Sequence, residues 1–157
     1  MRRADKEITD PGMISKIIGS CHVCRLGVAQ DNIPYIIPVS FGYDGDALYI
    51  HTARTGRKIE FFEANPTVCL EFERGVDLKP HENDPCSWSF SYQSVIGYGV
   101  IRELTDPAEI ISGMQLVMKQ YSKQEWSFTV ESIAALRVWK ISIESLSGKQ
   151  SKDMVMS

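Results

Sequence analysis

Residues 88–104 form an unbroken aromatic and β-branched run that carries two glycines, Gly97 and Gly99, in its second half. Such a composition reads as one long strand. Its internal glycines permit the sharp curvature or close backbone approach that a curling sheet needs. Shorter runs at 21–29, 33–43, 47–52, 67–74 and 134–146 bring the expected total to six strands. Turn residues at Gln30-Asp31-Asn32 and Asp44-Gly45-Asp46 predict hairpins, the second making the 33–43 and 47–52 strands antiparallel neighbours. Strands with short hairpins and helices between them are best closed into a small antiparallel barrel, since a flat sheet leaves exposed edges. The predicted class is mainly β with peripheral helices.

Three helices are expected around these strands. Asp10 and Pro11 supply a cap and a first-turn proline before the apolar stripe Met13, Ile14, Ile17 and Ile18. A second helix follows Gly56 with Ile59, Phe61 and Phe62, ending near Asn65-Pro66, and Asp106-Pro107 opens a third with Ile110, Ile111, Met114, Val117 and Met118. Residues 121–132 give no clear pattern. Residues 75–85 are polar and broken by Gly and Pro, which reads as a long loop able to set substrate specificity. Pro34 and Pro38 argue for an edge, a bulge or an opened stretch, with backbone near Val39 and Ser40 free for something other than a strand. A chain of 157 residues that is 43% hydrophobic, with no repeat or linker, is expected to form one domain over 1–157.

The formal net charge is −3, so no global positive field gathers nucleic acid or an anionic membrane surface. Any anion must be held by a local pocket. No apolar run approaches the roughly 20 residues that span a bilayer, and the charged start Met1–Glu7 lacks the apolar core of a signal peptide. A cytoplasmic protein is expected. Cys21-His22-Val23-Cys24 has the gap of a zinc or redox pair, but no second pair follows, and Cys24 alternates with its neighbours as a core-facing strand residue. No metal site is expected.

The chemistry concentrates in Tyr49-Ile50-His51-Thr52-Ala53-Arg54-Thr55-Gly56-Arg57-Lys58, a strand that runs through a small polar turn into two cations. Cations favour the last turn of a helix, so Arg57 and Lys58 in a first turn point to an anionic ligand, which the helix amides and positive helix end also favour. Thr52, Thr55 and the Gly56 backbone can add donors. His51 shares the strand face of Tyr49, opposite Leu48 and Ile50, and reads either as a structural histidine or as a group that orients a ligand. No carboxylate stands at a spacing that would make a triad. Trp139 and Tyr92 can stack on a planar ring or pack in a core or interface.

The ordered set Met1-Arg2-Arg3, Asp5-Lys6-Glu7-Ile8, Cys24-Arg25-Leu26, Pro34-Tyr35-Ile36-Ile37-Pro38-Val39-Ser40-Phe41-Gly42-Tyr43, Leu48 through Lys58, Asn65-Pro66-Thr67-Val68 and Ser94-Val95-Ile96-Gly97-Tyr98-Gly99 resembles the FMN-binding split-barrel superfamily. It is most similar to the nitroimidazole-resistance (Nim-type) branch related to pyridoxamine 5′-phosphate oxidase. The resemblance implies a six-stranded antiparallel split barrel that forms a homodimer, with a flavin in each cleft between subunits. FMN is the implied cofactor, and FAD is the alternative. By resemblance, the backbone of Pro38, Val39, Ser40 and Phe41 and the strand end His51, Thr52 and Ala53 face the ring, while Arg57 and Lys58 hold the phosphate. Ser94 of the second subunit and Trp139 complete the implied cofactor set, and His51 matches the family's active-site histidine. Lys149 resembles a C-terminal feature without an assigned role.

The implied activity is two-electron reduction of nitro-aromatic, 5-nitroimidazole-like or related small acceptors, with NADH or NADPH as donor; a non-catalytic flavin-binding or sensing protein is the alternative. The Arg-x-His signature of a true pyridoxamine phosphate oxidase is missing from Leu136-Arg137-Val138-Trp139-Lys140. That activity is not expected.

Overall fold

The computed structural model describes residues 4–152, so the Met1-Arg2-Arg3 piece of the sequence resemblance lies outside the described residues. In chain order the elements are β1 (Glu7–Ile8), α1 (Pro11–Ser20), β2 (Cys24–Gln30), β3 (Ile33–Val39), β4 (Gly42–Tyr43), β5 (Ala47–Ala53), α2 (Arg57–Ala64), β6 (Thr67–Lys79), β7 (Ser89–Glu103), α3 (Pro107–Tyr121), the single turn α4 (Val130–Ile133) and β8 (Leu136–Gln150). The sheet has eight strands rather than six, in the order β3-β2-β6-β7-β8-β5-β4, with β1 added beside β8, and every pairing is antiparallel. It curls around one core. The end strands β3 and β4 are consecutive in the chain but do not pair with each other, which leaves the barrel split.

Local chemistry accounts for most of these boundaries. The Asp10 carboxylate accepts from the Gly12 amide at 2.9 Å, and the stripe Met13, Ile14, Ile17 and Ile18 is buried. Asp31 and Asn32 both adopt positive φ, 51° and 62°, the backbone of a two-residue hairpin turn matched to strand twist. The second expected hairpin forms only in part. The 33–43 run breaks after Val39, and Gly42 and Tyr43 alone pair with β5, so β3 and β5 are not neighbours. The physical reason is that β3, carrying Pro34 and Pro38, stands at a sheet edge and pairs only with β2.

Two further expectations are corrected. β6 runs on past a bulge between Arg74 and Asp77, and Asp77, Leu78 and Lys79 pair with Ser91, Phe90 and Ser89. The first part of the expected 75–85 loop, through Lys79, is therefore one strand of a two-stranded arm, whose tip carries a short 3-10 turn at Pro85–Ser87. The last strand is also displaced, reaching Gln150, so that Lys149 lies within it.

The inward strand faces, α1 and α2 share the main core, with Phe41, Leu48, Ile50, Leu70 and Phe72 at its centre. Cys24 belongs there too, as its alternation suggested, and burial pushes its thiol up to about 12. A second, smaller core lies between α3 and the outer faces of β5 and β8, around Tyr49, Met114, Val117 and Val138. No described helix is long and apolar enough to cross a membrane.

Gly42 is what lets α3 dock: a Cβ there would meet the Leu116 carbonyl carbon at 2.4 Å and the Val117 nitrogen at 2.5 Å. Backbone cannot yield as a flexible side chain can. Gly42→Ala is expected to lower stability by about 1–3 kcal/mol in urea unfolding, and an unchanged midpoint would contradict this packing.

Candidate functional site

The site is built where β5 leaves the sheet and α2 begins. β5 pairs with β8 along its whole length, with His51 opposite Val138 and Ala53 opposite Leu136. Leu48 and Ile50 point into the main core and Tyr49 into the smaller one, so the face alternation read from the sequence holds. His51 is half-buried on the outer face. Burial first, and then the charge of Lys58, push its imidazole below the ordinary 6.5, so the neutral form is present at pH 7. Its Nδ1 is enclosed by protein and has no hydrogen-bond partner. A buried ring nitrogen left without a partner is a stability cost the fold bears at this position.

Beyond Ala53 the chain turns, and Gly56 at φ 130° caps α2 without offering any side-chain acceptor. A Cβ at Gly56 would meet nothing within 4 Å, so the approach to the first helical amides is open. The Arg57 guanidinium lies over the rings of Tyr35, at 4.9 Å, and Phe61, at 5.6 Å. Its state differs from that of the other described arginines. Arg25, Arg102 and Arg137 are paired with carboxylates, Arg74 bonds Gln93 and Ser20, and Arg54 donates to the Ala134 carbonyl at 2.9 Å. Among the described residues, Arg57 and Lys58 form no ion pair. The turn therefore presents two cations without an ion pair among the described residues, at a helix start that has no side-chain cap, a set that fits a phosphate ester.

The sequence candidates separate into four groups. His51, Ala53, Arg57 and Lys58 belong to one β5–α2 corner. Pro38 and Ser40 are exposed on the open edge of β3, whereas the side chains of Val39 and Phe41 are buried, leaving only main chain to contact a ligand. The Phe41 amide is already taken, donating to the Tyr121 hydroxyl at 2.8 Å. Thr52 and Trp139 are joined inside the barrel, where the indole N–H donates to the threonine hydroxyl at 3.0 Å. Trp139 is 3% exposed, edge-on to Phe62 and stacked under Arg137, so it is a core residue and presents no free ring face to a ligand. Ser94 stands apart on the outer face of β7, across from Lys149 near the far end of β8.

Tyr35 was missed by sequence reasoning. Its signal was its place in β3, where an aromatic residue close to the predicted cation pair can carry a guanidinium.

A family model described as pyridoxamine 5′-phosphate oxidase matches residues 10–150. Among solved structures, a candidate 5-nitroimidazole antibiotic resistance protein from Bacteroides thetaiotaomicron is 30% identical, with 92% of this chain and 86% of that chain covered at a TM-score of 0.81. A flavocytochrome from Azotobacter vinelandii shares the fold at 19% identity, covering 100% of this chain and 74% of that one at a TM-score of 0.83. An uncharacterized protein of Rhizobium meliloti is 31% identical over 55 residues, 35% of this chain and only 36% of its own length.

The depressed imidazole makes a pH prediction. The His51 ring, followed by NMR, is expected to titrate below 6.5, and Lys58→Met is expected to move that midpoint upward. Because the unfolded chain binds this proton more tightly, stability is expected to fall as the pH drops from 6.5 toward the folded midpoint. A midpoint at or above 6.5 that ignores Lys58 would contradict the assignment.

Proposed function

This chain belongs to the pyridoxamine 5′-phosphate oxidase-like family of split-barrel proteins, and on that premise we propose that it is a flavin-dependent oxidoreductase reducing small nitro-aromatic acceptors. The observation that carries the reading is the pair Arg57 and Lys58 at an uncapped helix start, with no described counter-ion. Such a corner is suited to the phosphate of FMN, and FAD can place a phosphate of its pyrophosphate there. The exposed edge at Pro38 and Ser40 offers main chain to a planar ring, and His51 offers a neutral imidazole. The bound flavin would supply the redox chemistry, taking two electrons from NADH or NADPH and giving them to the acceptor.

The protein's own contribution is placement and charge. Arg57 and Lys58 fix the anionic end, and burial together with the Lys58 charge keeps His51 neutral at pH 7. A neutral imidazole keeps one N–H donor and one acceptor nitrogen, so His51 can orient an acceptor by hydrogen bonding. The 30% identical Bacteroides relative, described as a candidate 5-nitroimidazole resistance protein, supports nitro-heteroaromatics as the acceptor class.

A homodimer is part of the proposal. Ser94 is implied in the cofactor site, yet most of the length of β8 separates its partner Lys149 from Val138, the partner of His51. Ser94 would then reach the ring from a second copy. The outward face of β7 supports this, since Ile96, Tyr98 and Val100 are 44%, 53% and 37% exposed beside Ile36 at 68%.

Purified protein is expected to be yellow and dimeric. In stopped-flow mixing, NADH or NADPH is expected to bleach the colour and a 5-nitroimidazole to restore it. Colour without bleaching would favour the non-catalytic binder. Colourless protein that takes up neither FMN nor FAD would overturn the proposal.

A further inference from the structure

The β6–β7 arm, read from the sequence as a loop, overhangs an open hollow of about 790 Å³ that includes Trp88, Phe90, Tyr92, Ser94 and Lys149 in its walls. This volume lies within the range of small-molecule sites. We propose that the hollow is the acceptor subsite: it binds an uncharged, planar, oxygen-bearing heteroaromatic, with Trp88 and Phe90 as stacking walls and Lys149 as hydrogen-bond donor. The inference rests on the flavin-reductase reading for the name of its ligand and on the arm's own geometry for its place.

The arm is held in shape by its own bonds. Gly75, at φ 62°, allows the backbone to pass the bulge, and strand pairing resumes at Asp77 opposite Ser91. At the tip the Asp84 carboxylate accepts from the Cys86 amide at 2.9 Å, and the Trp88 indole N–H donates to the His81 carbonyl at 2.8 Å. The polar atom of Trp88 is thus satisfied within the arm. What the half-exposed indole offers outward is π-surface, and Phe90 offers the same.

Across the hollow, Lys149 stands 5.9 Å from the Tyr92 ring centroid and pairs in register with Ser94. It forms no ion pair among the described residues, whereas Lys152 pairs with Asp5 at 3.2 Å. The charge balance narrows the ligand. Glu71 and Glu73 also line the hollow, and although Arg25 engages Glu71 at 3.0 Å, two carboxylates beside one ammonium disfavour a phosphate-bearing molecule. A neutral ring with a nitro or carbonyl oxygen meets aromatic walls and a single donor without that repulsion. Ser94 places the hollow beside the ring that the dimer reading assigns to it.

Binding of 2-methyl-5-nitroimidazole to the flavin-loaded protein, measured by titration calorimetry, tests the assignment. Trp88→Ala is expected to weaken binding about tenfold, and Trp88→Phe to recover most of it. Lys149→Met is expected to weaken it severalfold, with Lys149→Arg recovering it, while the flavin content of all four variants stays at the wild-type level. Wild-type affinity in both Trp88→Ala and Lys149→Met would overturn the proposal. So would loss of flavin from either variant with unchanged affinity for the probe. Should the wild-type chain hold no flavin yet bind the probe in a Trp88-dependent way, the enzyme reading falls and the subsite stands.

Discussion

The guanidinium of Arg57 is kept in a place that helix electrostatics disfavours. A cation in a first turn faces the positive helix end, a penalty of about 0.3–1 kcal/mol. Contact with the Tyr35 and Phe61 rings returns a comparable amount, about 0.5–1 kcal/mol at an exposed position. The two effects nearly cancel, so the fold tolerates this charge without needing it for stability. Lys58 adds a second charge and, after burial, helps depress the His51 imidazole. One corner thus combines two cations without an ion pair among the described residues and a neutral imidazole, and each depends on where α2 begins.

The sheet decides what can stand around that corner. An edge strand rich in proline, β3, leaves its backbone open instead of sealing the barrel against β4. α3 covers the outer faces of β5 and β8 near Tyr49 and Val138, which restricts the open surface to the end of β5. On the other side, the outward face of β7 carries apolar side chains left exposed among the described residues. In the proposed dimer a second copy would shield that face and bring Ser94 toward the β5–α2 corner.

Much of this was legible in the residues. Capping at Asp10 and Asp106, the turn at Asp31-Asn32 and the buried stripe of α1 follow from local chemistry, and the structure has each of them. The cation pair was visible because charge at a helix start is a local anomaly. The arm was not read, although Val76-Asp77-Leu78-Lys79 alternates, because a two-stranded projection has no core to bury one face and the flanking Gly and Pro suggested a loop. Trp139 needed long-range register: only the pairing of Ile50 with Trp139 shows that its indole and the Thr52 hydroxyl share the inner face. The opening after Val39 was signalled by Pro34 and Pro38, but the change of partner between β3 and β4 was hidden, since a run that switches neighbours looks continuous in sequence.

The central claim is that the start of α2 grips a phosphate. Equilibrium binding of FMN against riboflavin, which differs only in lacking the phosphate, isolates that interaction from every contact to the ring. The account predicts that FMN binds at least about a hundredfold tighter, two charge-assisted contacts each contributing on the order of 1.5 kcal/mol or more, and that this preference collapses in Arg57→Ala/Lys58→Ala while riboflavin affinity is kept. Equal affinity for the two molecules in the wild-type protein would contradict it.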